Sequence, residues 1–153
     1  MTNEATGMSR RALLTGGLGV AALAMAAPAD AAEPTAAERA NMRIVEEFCA
    51  AWPSHDLERI LAFFADNGVY RMTETMEPAR GREALKTRIS TIINNVTRFE
   101  ILDTWARGPM VVNERIDTFA NFQLKSWRGV GVFFLRDGKI VEWFDYTIAA
   151  ERG

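Results

Sequence analysis

Two aspartates and one arginine lie in stretches of the sequence that predict β-strands. Residues 111–119 alternate in polarity and are rich in β-branched residues, which is typical of a strand. Side chains two positions apart on a strand share a face, so Arg115 and Asp117 lie side by side. Residues 140–146 repeat this arrangement with Asp145. If the strands pair as hairpins in sequence, the three charged side chains can meet, and paired carboxyl groups suit acid–base chemistry.

Two carboxylates around one guanidinium carry one excess negative charge. Holding that charge in an apolar pocket is unfavourable, and a single bound proton makes the trio neutral. One aspartate can then act as an acid and the other as a base, as a concerted reaction near neutral pH requires. Arg115 can bond both through its rigid, permanently charged fork. The same residues also fit a salt-bridge network on a solvated sheet face, since antiparallel sheets commonly have one wet face.

The remaining nucleophilic and metal-binding residue types offer less. The single cysteine, Cys49, falls in a helical apolar pattern, which favours buried packing over catalysis. The single histidine, His55, falls in a connection between two predicted helices and fits a capping or exposed loop residue better than a catalytic one. Without a cluster of histidines and cysteines, we expect no metal.

Length and charge predict one domain with a small partner. A chain of 153 residues that is 48% apolar can build one core. A net charge of −2 and a pI near 5.5 give no electrostatic footprint for nucleic acid or anionic lipid. The expected partners are therefore small, uncharged molecules, with no nucleic acid.

The first 31 residues have the features of a bacterial export signal. Arg10 and Arg11 precede a mild, Gly- and Ala-rich apolar run over residues 12–27, and Ala29-Asp30-Ala31 follows as a cleavage pattern. Paired arginines before a weakly apolar run are typical of a twin-arginine signal. A membrane anchor is the alternative, but the run is shorter than the ~20 residues that a span needs. We expect residues 1–31 to direct the protein to the periplasm, with no membrane attachment after cleavage.

Three helices are predicted in the first part of the remaining chain. Thr35 and Glu38 have the spacing of a capping box, and apolar residues at helical spacing follow until Pro53 ends the helix. A second helix is expected over Leu57–Ala65, and a third begins at Gly81. Each has one apolar side for a core.

The rest of the chain has the spacing of strands. Asp66-Asn67-Gly68 predicts a turn into a short strand over residues 69–73, and residues 74–80 fit a loop. Four longer strands follow, at residues 96–106, 110–120, 127–136 and 139–148, with Asp137-Gly138 as a tight hairpin signal. Helices followed by long strands predict an α+β fold in which a curved, mixed, largely antiparallel sheet packs against three helices. The dry interior of such a cone is a natural pocket.

Four segments of this domain carry a family resemblance. They are Asn-Glu-Arg-Ile-Asp at residues 113–117, Trp-Phe-Asp-Tyr at residues 143–146, Tyr70, and the Gly-Arg-Glu-Ala helix start at Gly81. Together they resemble the limonene-1,2-epoxide hydrolase family, within the larger NTF2-like and SnoaL-like group. The resemblance implies a cone-shaped domain over residues 35–150. It also implies a usually dimeric enzyme that adds water to an epoxide in one step, without a covalent intermediate or a cofactor.

The resemblance also implies a role for each residue of the trio. Asp145 would be the general base that takes a proton from water, and Asp117 the acid that protonates the epoxide oxygen. Arg115 would bridge the two, and Tyr70 would help to hold the water.

One position departs from the family. Two residues after the tyrosine the family has an asparagine as a further water ligand, whereas this chain has Met72. The neighbouring polar residues Thr73 and Glu74 are the candidates to replace it.

The expected pocket is apolar and suits a lipophilic epoxide. Its predicted wall consists of Met72, Val111, Phe119 and Trp143, while Trp127, Trp105, Phe133 and Phe134 are expected in the core or at a homodimer interface. Two other functions remain open for the same fold. One is an isomerase or cyclase acting on a ketone, which needs an Asp base with an oxyanion donor or a His–Asp pair. The other is an exported, non-catalytic binder of hydrophobic small molecules.

Overall fold

The structure, a computed structural model, describes residues 33–153. Its elements in chain order are α1 (Ala36–Ala51), a 3₁₀ turn (Trp52–Ser54), α2 (Leu57–Leu61), β1 (Phe64–Arg71), β2 (Ala79–Arg80), α3 (Arg82–Ser90), a second 3₁₀ turn (Ile93–Asn95), β3 (Val96–Arg107), β4 (Met110–Phe119), β5 (Leu124–Arg136) and β6 (Lys139–Arg152). The predicted α+β fold, with helices in the N-terminal half of the domain, is confirmed.

The six strands form one curved, mixed sheet in the order β2-β1-β6-β5-β4-β3. The strands β3 to β6 pair antiparallel as consecutive hairpins, as predicted. The last strand, β6, also pairs parallel with β1. The chain therefore brings its first long strand and its last strand together in the middle of the sheet.

Helix α1 packs across the sheet and builds the core. Its first turn has the predicted capping box between Thr35 and Glu38, and Glu38 also accepts a hydrogen bond of 2.7 Å from the amide of Gly108 in the β3–β4 turn. Phe48 lies at the centre of the core, where edge-on ring contacts at 5.0 to 5.9 Å surround it, from Trp52, Phe63, Phe64, Phe133 and Trp143. These contacts attach the helix to β1, β5 and β6.

The second helix is shorter than predicted. It ends at Leu61, and Phe64, expected on its buried stripe, is the first residue of β1 and pairs with Ile140. Pairing with β6 satisfies the backbone at the start of β1, because the amide of Ile140 donates a hydrogen bond to the carbonyl of Phe63. Residues 66–68, predicted as a turn, lie inside β1 at an irregularity of its register between Phe64 and Val69.

The last two strands are longer than predicted. β5 begins at Leu124 rather than Trp127, and β6 continues to Arg152 rather than Ile148. Between them Asp137 and Gly138 both have positive φ angles, of 51° and 72°, as the predicted tight hairpin requires. The short strand β2 forms in the segment predicted as a loop and pairs with Val69 and Tyr70.

Two expectations stay predictions. The export signal over residues 1–31 lies outside the described residues; in residues 33–153 no helix is long and apolar enough to cross a membrane. The homodimer also stays a prediction, although the face of the sheet turned away from the helices exposes Trp105 and Tyr146.

Candidate active site

The predicted trio meets inside the cone. The Nε atom of Arg115 donates to Oδ1 of Asp117 at 2.9 Å, and its Nη2 atom donates to Oδ1 of Asp145 at 3.0 Å. All three side chains are buried, and Arg115 is 0% exposed. The trio is therefore an internal ion cluster rather than a salt-bridge network on a solvated face.

Gly131 of β5 lets Arg115 reach Asp145, and Gly129 of the same strand makes room for the ring of Trp127. The strand β5 lies between β4, which carries Arg115, and β6, which carries Asp145, so the side chain must pass over it. Gly129 is opposite Arg115, and Gly131 is opposite Asp145. A Cβ atom on Gly131 would lie 2.5 Å from Nη1 of Arg115, and one on Gly129 would lie 2.1 Å from the Trp127 ring. Neither glycine was predicted to contribute to the site, although a glycine inside a strand is a signal of close approach.

Aromatic rings surround the guanidinium. The Cζ atom of Arg115 lies 5.0 Å from the ring centre of Phe99, 5.1 Å from that of Trp127 and 5.4 Å from that of Trp143. Burial works against the charged form, but the carboxylates of Asp117 and Asp145 raise the pKa of Arg115 above its ordinary value. Arg115 is therefore a fixed positive charge at every pH of interest.

Asp145 has the larger set of hydrogen-bond donors. Besides Arg115, it accepts from Nε1 of Trp143 at 2.8 Å and from the hydroxyl of Tyr70 at 3.3 Å. Burial, and then the charge of Asp145, raise the pKa of Tyr70 well above its usual range, so this hydroxyl stays a donor. Burial also raises the pKa of Asp145, but the three donors stabilise its anionic form.

Asp117 is the member of the pair that holds a proton more readily. Within the described residues its carboxyl group has one hydrogen-bond donor, Arg115. Burial raises the pKa of Asp117 to about 7, and the Asp145 carboxylate adds to the effect while Arg115 opposes it. One proton on the pair also cancels the excess negative charge of the trio. Near neutral pH the site therefore offers an acid at Asp117 and a base at Asp145.

A cavity of about 250 Å³ opens onto both carboxyl groups. It is lined mostly by apolar side chains: Met72, Ile92, Phe99, Phe119, Phe122, Leu124 and Trp127, together with the polar residues Tyr70, Thr73, Asp117, Gln123, Asp145 and Arg152. Of the expected wall residues, Met72 and Phe119 line it.

The other two expected wall residues, Val111 and Trp143, lie in the core instead. The ring of Trp143 is stacked between Tyr70, at 3.8 Å, and Phe133, at 5.5 Å, so Tyr70 separates it from the cavity. Trp143 acts on the site through its hydrogen bond to Asp145. Trp127, expected in the core or at a dimer interface, lines the cavity.

Thr73, rather than Glu74, is the polar neighbour of Met72 that faces the cavity. The carboxyl group of Glu74 accepts hydrogen bonds from the amide and the hydroxyl of Thr147. The parallel ladder of β1 with β6 ends at Arg71, so Glu74 satisfies an amide of β6 that has no strand partner on that side.

The other residues considered for chemistry do not reach the cavity. Cys49 is buried in α1, and burial raises the pKa of its thiol to about 12. His55 is exposed beyond the first 3₁₀ turn, where Nε2 makes a 2.7 Å hydrogen bond with the carbonyl of Val96. In the part of the chain that the structure describes, no three His, Cys, Asp or Glu side chains are arranged to hold a metal ion.

The substitution Gly131→Ala should destabilise the protein by about 1–3 kcal/mol, the usual cost of overpacking a core. The added methyl group would displace a buried side chain that two ion pairs hold in place. Urea unfolding measures the loss. Lys125→Ala, at an exposed position on the same strand, is the matched control and should change the free energy of unfolding by less than about 0.5 kcal/mol. Equal stability of Gly131→Ala and wild type would show that Arg115 does not need this gap.

The stability of the wild type relative to Asp117→Asn should fall as the pH rises from about 4 to about 7. In this range the folded wild type retains a proton on Asp117 that the unfolded chain has released, because the folded pKa is about 7 and the ordinary one about 4. The folded state then binds more protons, so the free energy of unfolding falls with pH, by up to about 1.4 kcal/mol per pH unit. Urea unfolding of both proteins across the range measures the difference, and a constant or rising difference would contradict the raised pKa.

Comparison with solved structures gives relatives for this fold. The structure of an LEH-like epoxide hydrolase from M. tuberculosis has a TM-score of 0.62 and 29% sequence identity, and the match covers 72% of this chain and 84% of that chain. The epoxide hydrolase/cyclase-like enzyme SalBIII, which has a role in pyran ring formation in the polyether salinomycin, has a TM-score of 0.66 at 19% identity, over 71% of this chain and 91% of that one.

A third relative shows how widely the fold is used. A candidate ketosteroid isomerase from Kribbella flavida has a TM-score of 0.63 at 15% identity, over 76% of this chain and 83% of that chain. At such low sequence identity, the similarity to the Kribbella flavida protein and to SalBIII shows the fold alone. The SnoaL-like domain family matches residues 45–143, which is more than half of the chain, and this protein therefore belongs to the SnoaL-like domain family.

Proposed function

We propose that the protein is an epoxide hydrolase that adds water to a lipophilic epoxide in one step and releases a vicinal diol. The observation that carries the proposal is the buried trio, in which Arg115 joins two carboxyl groups with unequal sets of donors at one apolar cavity. The similarity to the LEH-like epoxide hydrolase supports the same reaction.

Asp145 is the base and Asp117 the acid in the proposed reaction. Asp145 accepts a proton from water as the water oxygen bonds to one ring carbon. The bond between that carbon and the epoxide oxygen breaks, and the oxygen takes the proton of Asp117. No alkoxide or hydroxide is released into the apolar cavity, where either ion would be costly. Return of one proton from Asp145 to Asp117 restores the starting state.

Arg115 keeps its charge throughout this cycle. The negative charge moves from Asp145 to Asp117 during the reaction, and the guanidinium bonds both. The guanidinium is therefore equally close to the charged carboxylate before and after the step. The aromatic rings packed around Arg115 hold its side chain in place between the two aspartates.

The proposed water site lies beside Asp145. Tyr70 donates its hydroxyl hydrogen to Asp145, which leaves its oxygen free to accept from a water molecule. Thr73 also faces the cavity and is the proposed replacement for the asparagine that the family has at Met72.

Two features argue against the alternatives. The donors of Tyr70 and Trp143 are directed at Asp145, so they are not available to stabilise the enolate of a ketone substrate. A protein that only bound a hydrophobic ligand would gain nothing from a buried trio of charges, whose removal from water costs several kcal/mol per ion.

The proposal predicts diol formation from terpene or styrene-type epoxides in isotopically labelled water, with the label in the new hydroxyl group. Asp117→Asn and Asp145→Asn should each lower kcat about 10²–10⁴-fold, the usual contribution of a general acid or base. The matched control is Glu114→Gln, which removes a carboxyl group from the other face of the same strand and should retain activity. Absence of diol with the wild type, or equal activity of all variants, would refute the proposal.

The rate should also depend on pH in a direction set by the trio. Above about pH 7, kcat/KM should fall about tenfold per pH unit, because Asp117 of the free protein loses the proton that the leaving oxygen needs. At lower pH kcat/KM should fall again as Asp145 takes up a proton. The measurement is kcat/KM at low substrate concentration across the stable pH range. A rate that rises steadily through pH 7 would mean that Asp117 is not the acid.

A further inference from the structure

The mouth of the cavity carries a positive charge that the proposed reaction does not use. Arg152, near the end of β6, lines the cavity together with Gln123, and the residue is exposed to solvent. The other charged residues of the lining are Asp117 and Asp145. In the described part of the chain no carboxylate pairs with Arg152, so its charge is available to a ligand.

The register of the sheet holds Arg152 on the inner side. Asp145 is opposite Gly131 in β5, and the ladder continues until Arg152 is opposite Leu124, which also lines the cavity. An irregularity between Thr147 and Ala149 adds one residue to β6 and shifts its alternation, and a second adds one residue to β5 between Leu124 and Ser126. The amide of Gly153 donates to the carbonyl of Gln123 at 3.2 Å, which fixes the end of β6 against the residues that lead into β5.

The acid–base pair lies in the buried part of the cavity and Arg152 at its exposed edge. Seven positions separate Asp145 from Arg152 on β6, and at about 3.3 Å per residue their Cα atoms are at most roughly 23 Å apart. The wall between them is apolar and includes Phe119, Phe122, Leu124 and Trp127. A ligand that fits has a reactive group at one end, an apolar middle and an anionic group at the other end.

We infer that Arg152 is a specificity residue and that the substrate is a lipophilic epoxide with a carboxylate at the end remote from the ring. This inference rests on the proposed function. The carboxylate stays at the solvated mouth, where pairing with an arginine costs little desolvation. The expectation of an uncharged partner, which came from the net charge of the whole chain, says nothing about a single cation at the mouth of a cavity.

The charge of Arg152 should make the protein prefer an epoxide with a carboxylate over the same epoxide without one. The probes are a medium-chain fatty acid with a terminal epoxide and its methyl ester, which has the same reacting group without the charge. The wild type should prefer the acid about two- to fivefold in kcat/KM, through a lower KM, since Arg152 does not belong to the acid–base trio. The ratio should approach one in Arg152→Gln and invert in Arg152→Glu. It should also decrease with added salt, because the pair is exposed.

Lys125→Gln is the matched control. It removes an exposed positive charge next to Leu124 from a residue that does not line the cavity, and the preference for the acid should remain. An equal loss of preference in Arg152→Gln and Lys125→Gln would assign the effect to the overall surface field and overturn the inference.

The experiment separates the two proposals. If the wild type opens neither probe nor any other epoxide, the proposed function is wrong, and the inference about the substrate class is wrong as well. If both probes give diol with equal kcat/KM, or if Arg152→Gln retains the preference, the hydrolase proposal stands and the inference on the substrate class is wrong.

Discussion

One buried guanidinium, shared by two carboxyl groups, is the interaction on which the rest of the structure depends. Breaking such a cluster by removing one partner would leave an uncompensated internal charge, which is strongly destabilising. The cluster also cannot hold two ionised carboxylates without an excess charge. The proton that resolves this excess is the proton that the proposed reaction consumes and restores. Both the stability of the fold and the proposed reaction therefore require that Arg115, Asp117 and Asp145 together hold one proton on a carboxyl group.

The surrounding elements are arranged to meet this demand. Gly131 of β5 opens a path across the sheet for Arg115, and Gly129 makes room for Trp127, whose ring surrounds the guanidinium together with those of Phe99 and Trp143. Tyr70 and Trp143 then make the two carboxyl groups unequal, because both donate to Asp145. Identical side chains thus acquire different proton affinities from their neighbours alone.

Alternation along β4 and β6 predicted from the sequence which residues share a face with Arg115, Asp117 and Asp145, since a period of two fixes the face of every strand residue. It fitted a solvated face as well as an interior one, and only the resemblance to a family favoured the interior. The helix boundary near Leu61 was not predictable in this way, because Phe64 fits both a helical stripe and a strand, and only its pairing with Ile140 decides.

The wall of the cavity was harder to predict than the trio. Strand periodicity gives the face on which a residue lies but not whether it reaches the cavity. Val111 and Trp143 are on the inner face of the sheet, as predicted, but both are packed in the core, and the ring of Tyr70 covers that of Trp143. The lining residues beyond β4, such as Phe122 and Gln123, belong to a connection without periodicity. The ends of β5 and β6, which bring Leu124 and Arg152 to the cavity, extend past the residues whose pattern is clear.

The parallel pairing of β1 with β6 joins two strands that are far apart in the sequence. Tyr70 and Asp145 meet only after β6 has inserted between β1 and β5, so a chain in which β6 has not yet paired has two further open sheet edges and an incomplete site. Open edges invite pairing with other chains. Chains in which β6 has not yet paired are therefore prone to associate, and long-range pairing of this kind forms slowly.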